Sequence, residues 1–181
     1  MIEKRGRKKQ EVKNYAIHQE LMNNFNFNSR NKKRNNIFET LSEYNIVFDD
    51  IRKIKETIKK EKTVLFGCSR NISDEISKYA TLFSSDIIKI KKIDIVNFLL
   101  SKIFHSYNKA EIIEMIESNI ESLDRIGEEK HISCYLEKSL LEKIFDIKSE
   151  LKEEGKSIAG FKIISFLLEI GKKKYLPNIK E

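Results

Sequence analysis

A chain of 181 residues, 40% hydrophobic and 35% charged, can bury a real core beneath wet, charged faces. Its six Gly and one Pro are too few for the tight turns of an all-β sandwich, and no apolar run reaches the roughly 18–20 residues of a membrane span. The formal net charge of +7 is carried entirely by residues 1–35, where ten Lys/Arg meet three Glu, so a neutral body follows a positive arm and a polyanionic partner is expected.

The charged N-terminus has no apolar stretch of the secretory kind. Cys68 and Cys134 lie far apart without CxxC spacing, which excludes a Cys-based metal site and fits a reduced cytoplasm. No membrane contact and no cofactor are expected.

Residues 1–35, rich in Asn, Lys and Arg, are expected to form a basic flexible arm. Residues 36–61 form an amphipathic helix: Ile37, Leu41, Tyr44, Phe48, Ile51 and Ile58 recur at steps of four and three, with Lys55 the one break. Residues 62–106 read as strand Val64–Cys68, helix Ile72–Phe83, a turn around Lys89–Lys92 and helix Ile93–Phe104. Residues 107–128 link, with Ala110–Ile126 as one helix carrying Ile112, Ile116, Ile120 and Leu123 on a face.

Residues 129–176 repeat the order more crisply. Ile132, Cys134 and Leu136 alternate with His131, Ser133 and Tyr135, the period of a half-buried strand. Leu140, Ile144, Ile147 and Leu151 then step at helical spacing behind Ser139 as N-cap. Gly155 ends that helix, Ser157 caps the next, and Gly171 with Lys172–Lys174 closes it before a tail at 177–181.

The likeness of the two segments is an internal repeat. Shifted by 68 positions, residues 63–102 lie over 131–170 without a gap. Phe66 meets Cys134, Ile76 meets Ile144, and Ile95-Val96-Asn97-Phe98-Leu99-Leu100 meets Ile163-Ile164-Ser165-Phe166-Leu167-Leu168. Apolar positions agree while solvent positions do not, which one fold under different surface demands would leave. A single strand with two helices cannot satisfy its own edge or bury its apolar side, so such a unit must pair.

The segment from His131 to Lys174, with YLEKSLLEKIFDIKSELKEEGKSIAGFKIISFLLEIGKK at its centre, resembles a ribbon-helix-helix domain of the Arc/MetJ kind. The basic arm and the Lys/Ile/Asn bias make the whole chain similar to plasmid partition proteins of spirochaetes, which are ParB-like and bind centromere-like sites. The implied fold is mostly α with short β-strands: tandem ribbon-helix-helix repeats behind an N-terminal helix and a disordered basic arm. The implied partners are double-stranded DNA, a ParA-type Walker ATPase, and a second strand supplied by a homodimer or by an intrachain pseudo-dimer.

The resemblance assigns DNA contact to the outward strand residues His131, Ser133 and Tyr135, by hydrogen bonds to base edges or contact with thymine methyls. Facing solvent or another protein strand is the other reading. The equivalent positions of the first strand, Thr63, Leu65, Gly67 and Ser69, depart from the family pattern, since Leu65 and Gly67 are poor base readers. Helix N-termini at Lys156-Ser157 and Lys91-Lys92 would present backbone N–H groups to flanking phosphates. In the arm, Lys4, Arg5, Arg7, Lys8 and Lys9 have three readings: a minor-groove contact like an AT-hook without its proline, an arginine finger on an ATPase, or nonspecific phosphate attraction.

No HExxH, GxSxG or Walker A pattern is present, and His18, His105 and His131 are scattered. Glu111, Glu114, Glu117 and Glu121 read as a solvated acidic face. No enzyme is expected. The expected function is sequence-specific DNA binding in plasmid partition or copy control; the alternatives are a protein-interaction adaptor and an antitoxin-type repressor with weak DNA contact.

Overall fold

The computed structural model describes residues 46–56, 62–84, 88–128 and 130–177. The two alternating segments form strands β1 (Thr63–Ser69) and β2 (His131–Glu137), which pair antiparallel within the one chain. Their register sets Phe66 opposite Cys134, with Thr63 opposite Glu137 at one end and Ser69 opposite His131 at the other. Inward residues Cys68, Cys134 and Leu136 are buried, so one face of the ribbon closes the core and the other is left to solvent. The exceptions are the strand ends, where Ser69, expected to point outward, and Glu137 are buried as they cap the following helices.

Each strand runs straight into a helix, α2 (Arg70–Leu82) after β1 and α6 (Lys138–Glu153) after β2. The second helices of the two segments are α3 (Lys92–Ser106) and α7 (Gly160–Tyr175). Helix α1 covers 46–56, and α4 (Lys109–Glu117) and α5 (Ile120–Glu128) connect the halves. The runs Ile95–Leu100 and Ile163–Leu168 are buried on every side, because α3 and α7 pack against each other and each also lies on the ribbon.

The halves are interleaved. Helix α7 lies against β1 and α3 against β2, so each second helix covers the strand of the other half. The N–H of Ser69 donates to Ser165 Oγ at 2.7 Å, and the N–H of Glu137 donates to Asn97 Oδ1 at 2.8 Å. Asn97 Nδ2 in turn donates to the Ile93 carbonyl and Ser165 Oγ to the Phe161 carbonyl. At the ribbon's ends, Arg70 N–H donates to the Lys130 carbonyl (2.7 Å) and Lys138 N–H to the Lys62 carbonyl (3.0 Å). Every one of these bonds recurs at an offset of 68 residues with the halves exchanged.

Several expectations need correcting. The linking helix is broken at Ser118–Asn119, and the turn brings Leu123 and Ile126 into the core while Ile120 is left 51% exposed. Ser139 lies inside α6, whose N-cap is Glu137, because the strand continues into the helix without a loop. Ser157 does not cap α7: the chain stays extended to Ala159, letting Ile158 pack on the core before the helix starts at Gly160. Gly171 does not end α7, which runs on to Tyr175. It is buried where α7 crosses α3, and a Cβ there would lie 3.2 Å from the Leu99 Cβ.

Gly155 does stop α6. Its φ of +83° lets Lys156 N–H reach the Leu151 carbonyl and Gly155 N–H the Lys152 carbonyl, a Schellman closure. Of the residues 36–61 expected as a helix, 46–56 are described and helical, with Phe48 and Ile51 buried. The apolar break at Lys55 has a structural reason. Its ammonium meets the Lys89 carbonyl and stands 3.8 Å from the buried Asp94 carboxylate.

A candidate nucleic-acid interface on the ribbon

Because side chains alternate across a strand, the solvent face of the ribbon is built by Thr63, Leu65 and Gly67 of β1 and His131, Ser133 and Tyr135 of β2. Leu65 and Tyr135 stand opposite each other, 55% and 57% exposed. Gly67 faces Ser133, and the His131 ring stacks on Phe161 with centroids 5.0 Å apart. The one carboxylate residue in either strand, Glu137, is only 7% exposed. Seven residues of strand make a ribbon about 20 Å long, of the width that a major groove admits.

Four exposed cations mark the ribbon's ends: Lys62 and Lys138 where β1 begins, Arg70 and Lys130 where it ends. Two of them share a carboxylate one helical turn on, Arg70 with Asp74 at 3.7 Å and Lys138 with Glu142 at 3.1 Å. All four partners are more than half exposed, and such pairs hold loosely and exchange readily with other anions. These end cations were not among the residues singled out from sequence. The signal was present: the 68-residue offset sets Lys62 over Lys130, just ahead of the matched segments, and Arg70 over Lys138 within them.

The expected phosphate cradles at the second helices are built differently from expectation. At α3, Lys91 N–H donates to Asp94 Oδ2 at 2.7 Å, so a buried carboxylate already occupies the positive end of the helix. Lys91 is exposed and Lys92 half-buried beside it. At α7 the helix starts three residues beyond Ser157, which is exposed on the preceding extended segment. Lys156 is held by Glu117 and Glu154, and the hydrogen bond to Glu117 raises its pKa above the usual lysine value while lowering that of Glu117. The arm residues Lys4, Arg5, Arg7, Lys8 and Lys9 lie outside the described residues.

The acidic face expected on the linking segment is partly structural. Glu111 closes a capping box with Asn108, and Glu117 holds Lys156. Beneath the ribbon, Cys68 and Cys134 are both buried and free. Its hydrogen bond with Cys68, together with burial, keeps the Cys134 thiol well above the usual range, so it acts as a small apolar side chain. Among the described residues no group of three or more His, Cys, Asp or Glu is arranged to hold a metal ion, and no helix is long and apolar enough to cross a membrane.

No family model matches the chain, and neither a curated protein nor a solved structure was found to be similar to it.

Proposed function

We propose that the chain is a sequence-specific DNA-binding protein of the ribbon-helix-helix kind, acting in plasmid partition or copy control, in which one chain supplies both halves of the usual pair. The observation that carries this reading is a solvent-facing two-stranded ribbon that exposes no strand carboxylate and has two cations at each end. The ribbon enters the major groove, where Ser133, His131 and Tyr135 meet base edges. Lys62, Arg70, Lys130 and Lys138 then face the phosphates on either side. Support for the two-copy architecture comes from the strand pairing and from backbone bonds that recur at one offset. The arm, through Lys4, Arg5, Arg7, Lys8 and Lys9, adds phosphate contacts or engages a Walker-type partner ATPase.

The test is binding of the full chain to the DNA upstream of its own gene and to random duplex across a salt series. A preference of about a thousandfold or more, with affinity falling steeply in salt, is the expected result. Equal and salt-steep binding to both would reduce the protein to a basic arm on a helical body. No binding to either would favour the protein-interaction reading, for which the exposed Leu65 and Tyr135 would be the contact.

A further inference from the structure

The two ends of the ribbon's solvent face are chemically unlike. The centre of the pairing is Phe66 opposite Cys134, and a rotation about that point exchanges Leu65 with Ser133, Gly67 with Tyr135 and Thr63 with His131. One end of the face therefore carries Leu65 and Tyr135 side by side, both more than half exposed. The other end carries Gly67 beside Ser133, with His131 lying flat on Phe161. A bulky apolar end is joined to one where Ser133 and His131 present polar atoms beside Phe161, which lies against Gly67.

A ribbon made by two identical chains must present the same residues to both half-sites, and so reads an inverted repeat. That constraint is absent when both strands belong to one chain and their outward residues differ. We infer, resting on the DNA-binding reading above, that this ribbon reads a non-palindromic duplex site with chemically distinct halves. Leu65 is a poor reader of hydrogen-bonding base edges because its side chain has neither donor nor acceptor. Its discrimination is therefore confined to contact with thymine C5-methyl groups, and Tyr135 beside it presents a ring for the same purpose. Ser133 and His131 offer donors and acceptors and take hydrogen-bonding base edges in the other half. Duplex DNA is the occupant because cations stand at both ends of this face: Lys62 and Lys138 beyond the apolar end, Arg70 and Lys130 beyond the polar one. Both half-sites thus receive similar phosphate contacts and differ only in how their bases are read.

The experiment is selection of duplexes from a randomised library by the full chain, by Leu65→Ser, and by the double variant Leu65→Ser/Gly67→Tyr, which makes positions 65 and 67 match 133 and 135. The native chain should enrich a motif lacking two-fold symmetry, with thymines confined to one half. Leu65→Ser should weaken the preference at those thymines roughly tenfold, the usual size of one lost base discrimination. The double variant should shift the motif toward an inverted repeat. Leu65 is solvent-exposed, so the single variant folds as the native chain does and remains informative if the double variant does not. A palindromic native motif overturns the inference and leaves DNA binding intact. An asymmetric motif unmoved by Leu65→Ser overturns the assignment of its thymine half to Leu65. Sequence-independent binding overturns specific reading of either kind, and absence of binding overturns both this inference and the DNA-binding function.

Discussion

Ser69 and Glu137 each end a strand, begin a helix, and give a backbone N–H to a polar side chain buried in the second helix of the opposite half. Between those shared points the half built from β1, α2 and α3 and the half built from β2, α6 and α7 diverge. Phe66 stands where the other half has Cys134, Ile103 where it has Gly171, and Leu65 where it has Ser133. What the halves share are the contacts that neither can make alone, namely strand pairing, strand-end bonds and the α3–α7 core. What they vary is volume that the partner half can compensate and surface that faces outward. Gly171 shows the compensation: it leaves room for Leu99 and Ile103 at the helix crossing.

The largest expected effect tests whether the halves are one cooperative unit. Leu99 and Leu167 are equivalent and both fully buried. Leu99→Ala and Leu167→Ala should each cost roughly 2–5 kcal/mol through lost burial and the cavity left behind. Because α3 and α7 share one core, both should lower the midpoint of the same single unfolding transition, followed by circular dichroism and by calorimetry. Two transitions, of which each variant moves only one, would mean that the halves fold separately.

The next effect tests the crossed bonds. Ser165→Ala and Asn97→Ala each strand a backbone N–H at a buried strand end, at a cost of about 1–3 kcal/mol. Denaturant titration should give similar losses for the two, with Asn97→Ala somewhat worse because more volume is removed. Hydrogen exchange should localise the damage at Ser69 for the first and at Glu137 for the second. Protection lost instead along the variant helix itself would show that these side chains serve their own helices and not the partner strand.

Most of this architecture was legible in the sequence, and the reason is physical. Period-two alternation at Ile132, Cys134 and Leu136 and the unbroken runs Ile95–Leu100 and Ile163–Leu168 are forced by burial, so they survive in the residues themselves. Helix boundaries were less legible because the competing signals are local. Ser139 has the chemistry of an N-cap, yet the ladder bond from Lys138 N–H to the Lys62 carbonyl moves the cap to Glu137, two residues earlier. A glycine that ends a helix and one that admits a neighbouring helix look alike in sequence. Gly155 proved to be the first kind and Gly171 the second. The candidate site was half legible: alternation gave His131, Ser133 and Tyr135, whereas the end cations come together only once the strands pair.

A smaller effect concerns Gly155, the one position among the described residues whose backbone demands glycine. Gly155→Ala places a Cβ at a φ of +83°, which costs about 1–2 kcal/mol, although nothing lies within 4 Å to clash with it. The measured loss should therefore be pure backbone strain. Gly155→Asn, which tolerates the left-handed region better, should recover part of it. Equal losses for Ala and Asn would point away from conformation as the cause.

The smallest change in stability carries the most direct test of what the ribbon's ends do. Asp74 and Glu142 are equivalent, both exposed, and each shares a ribbon-end cation with solvent. Asp74→Asn with Glu142→Gln should alter unfolding by no more than about 1 kcal/mol, since exposed pairs at one helical turn contribute little. Removing the two carboxylates leaves Arg70 and Lys138 without an internal competitor and takes two negative charges away from the approaching phosphates. Affinity for duplex DNA should rise, on specific and random sequences alike, and the gain should shrink as salt is added. Charge reversal at the cations themselves, Arg70→Glu with Lys138→Glu, should act in the opposite direction and flatten the salt dependence by roughly one unit of slope for each contact removed. If the carboxylate variants bind no better and the reversed cations no worse, phosphates do not meet the ends of this ribbon, and the proposed DNA contact would rest on the arm alone.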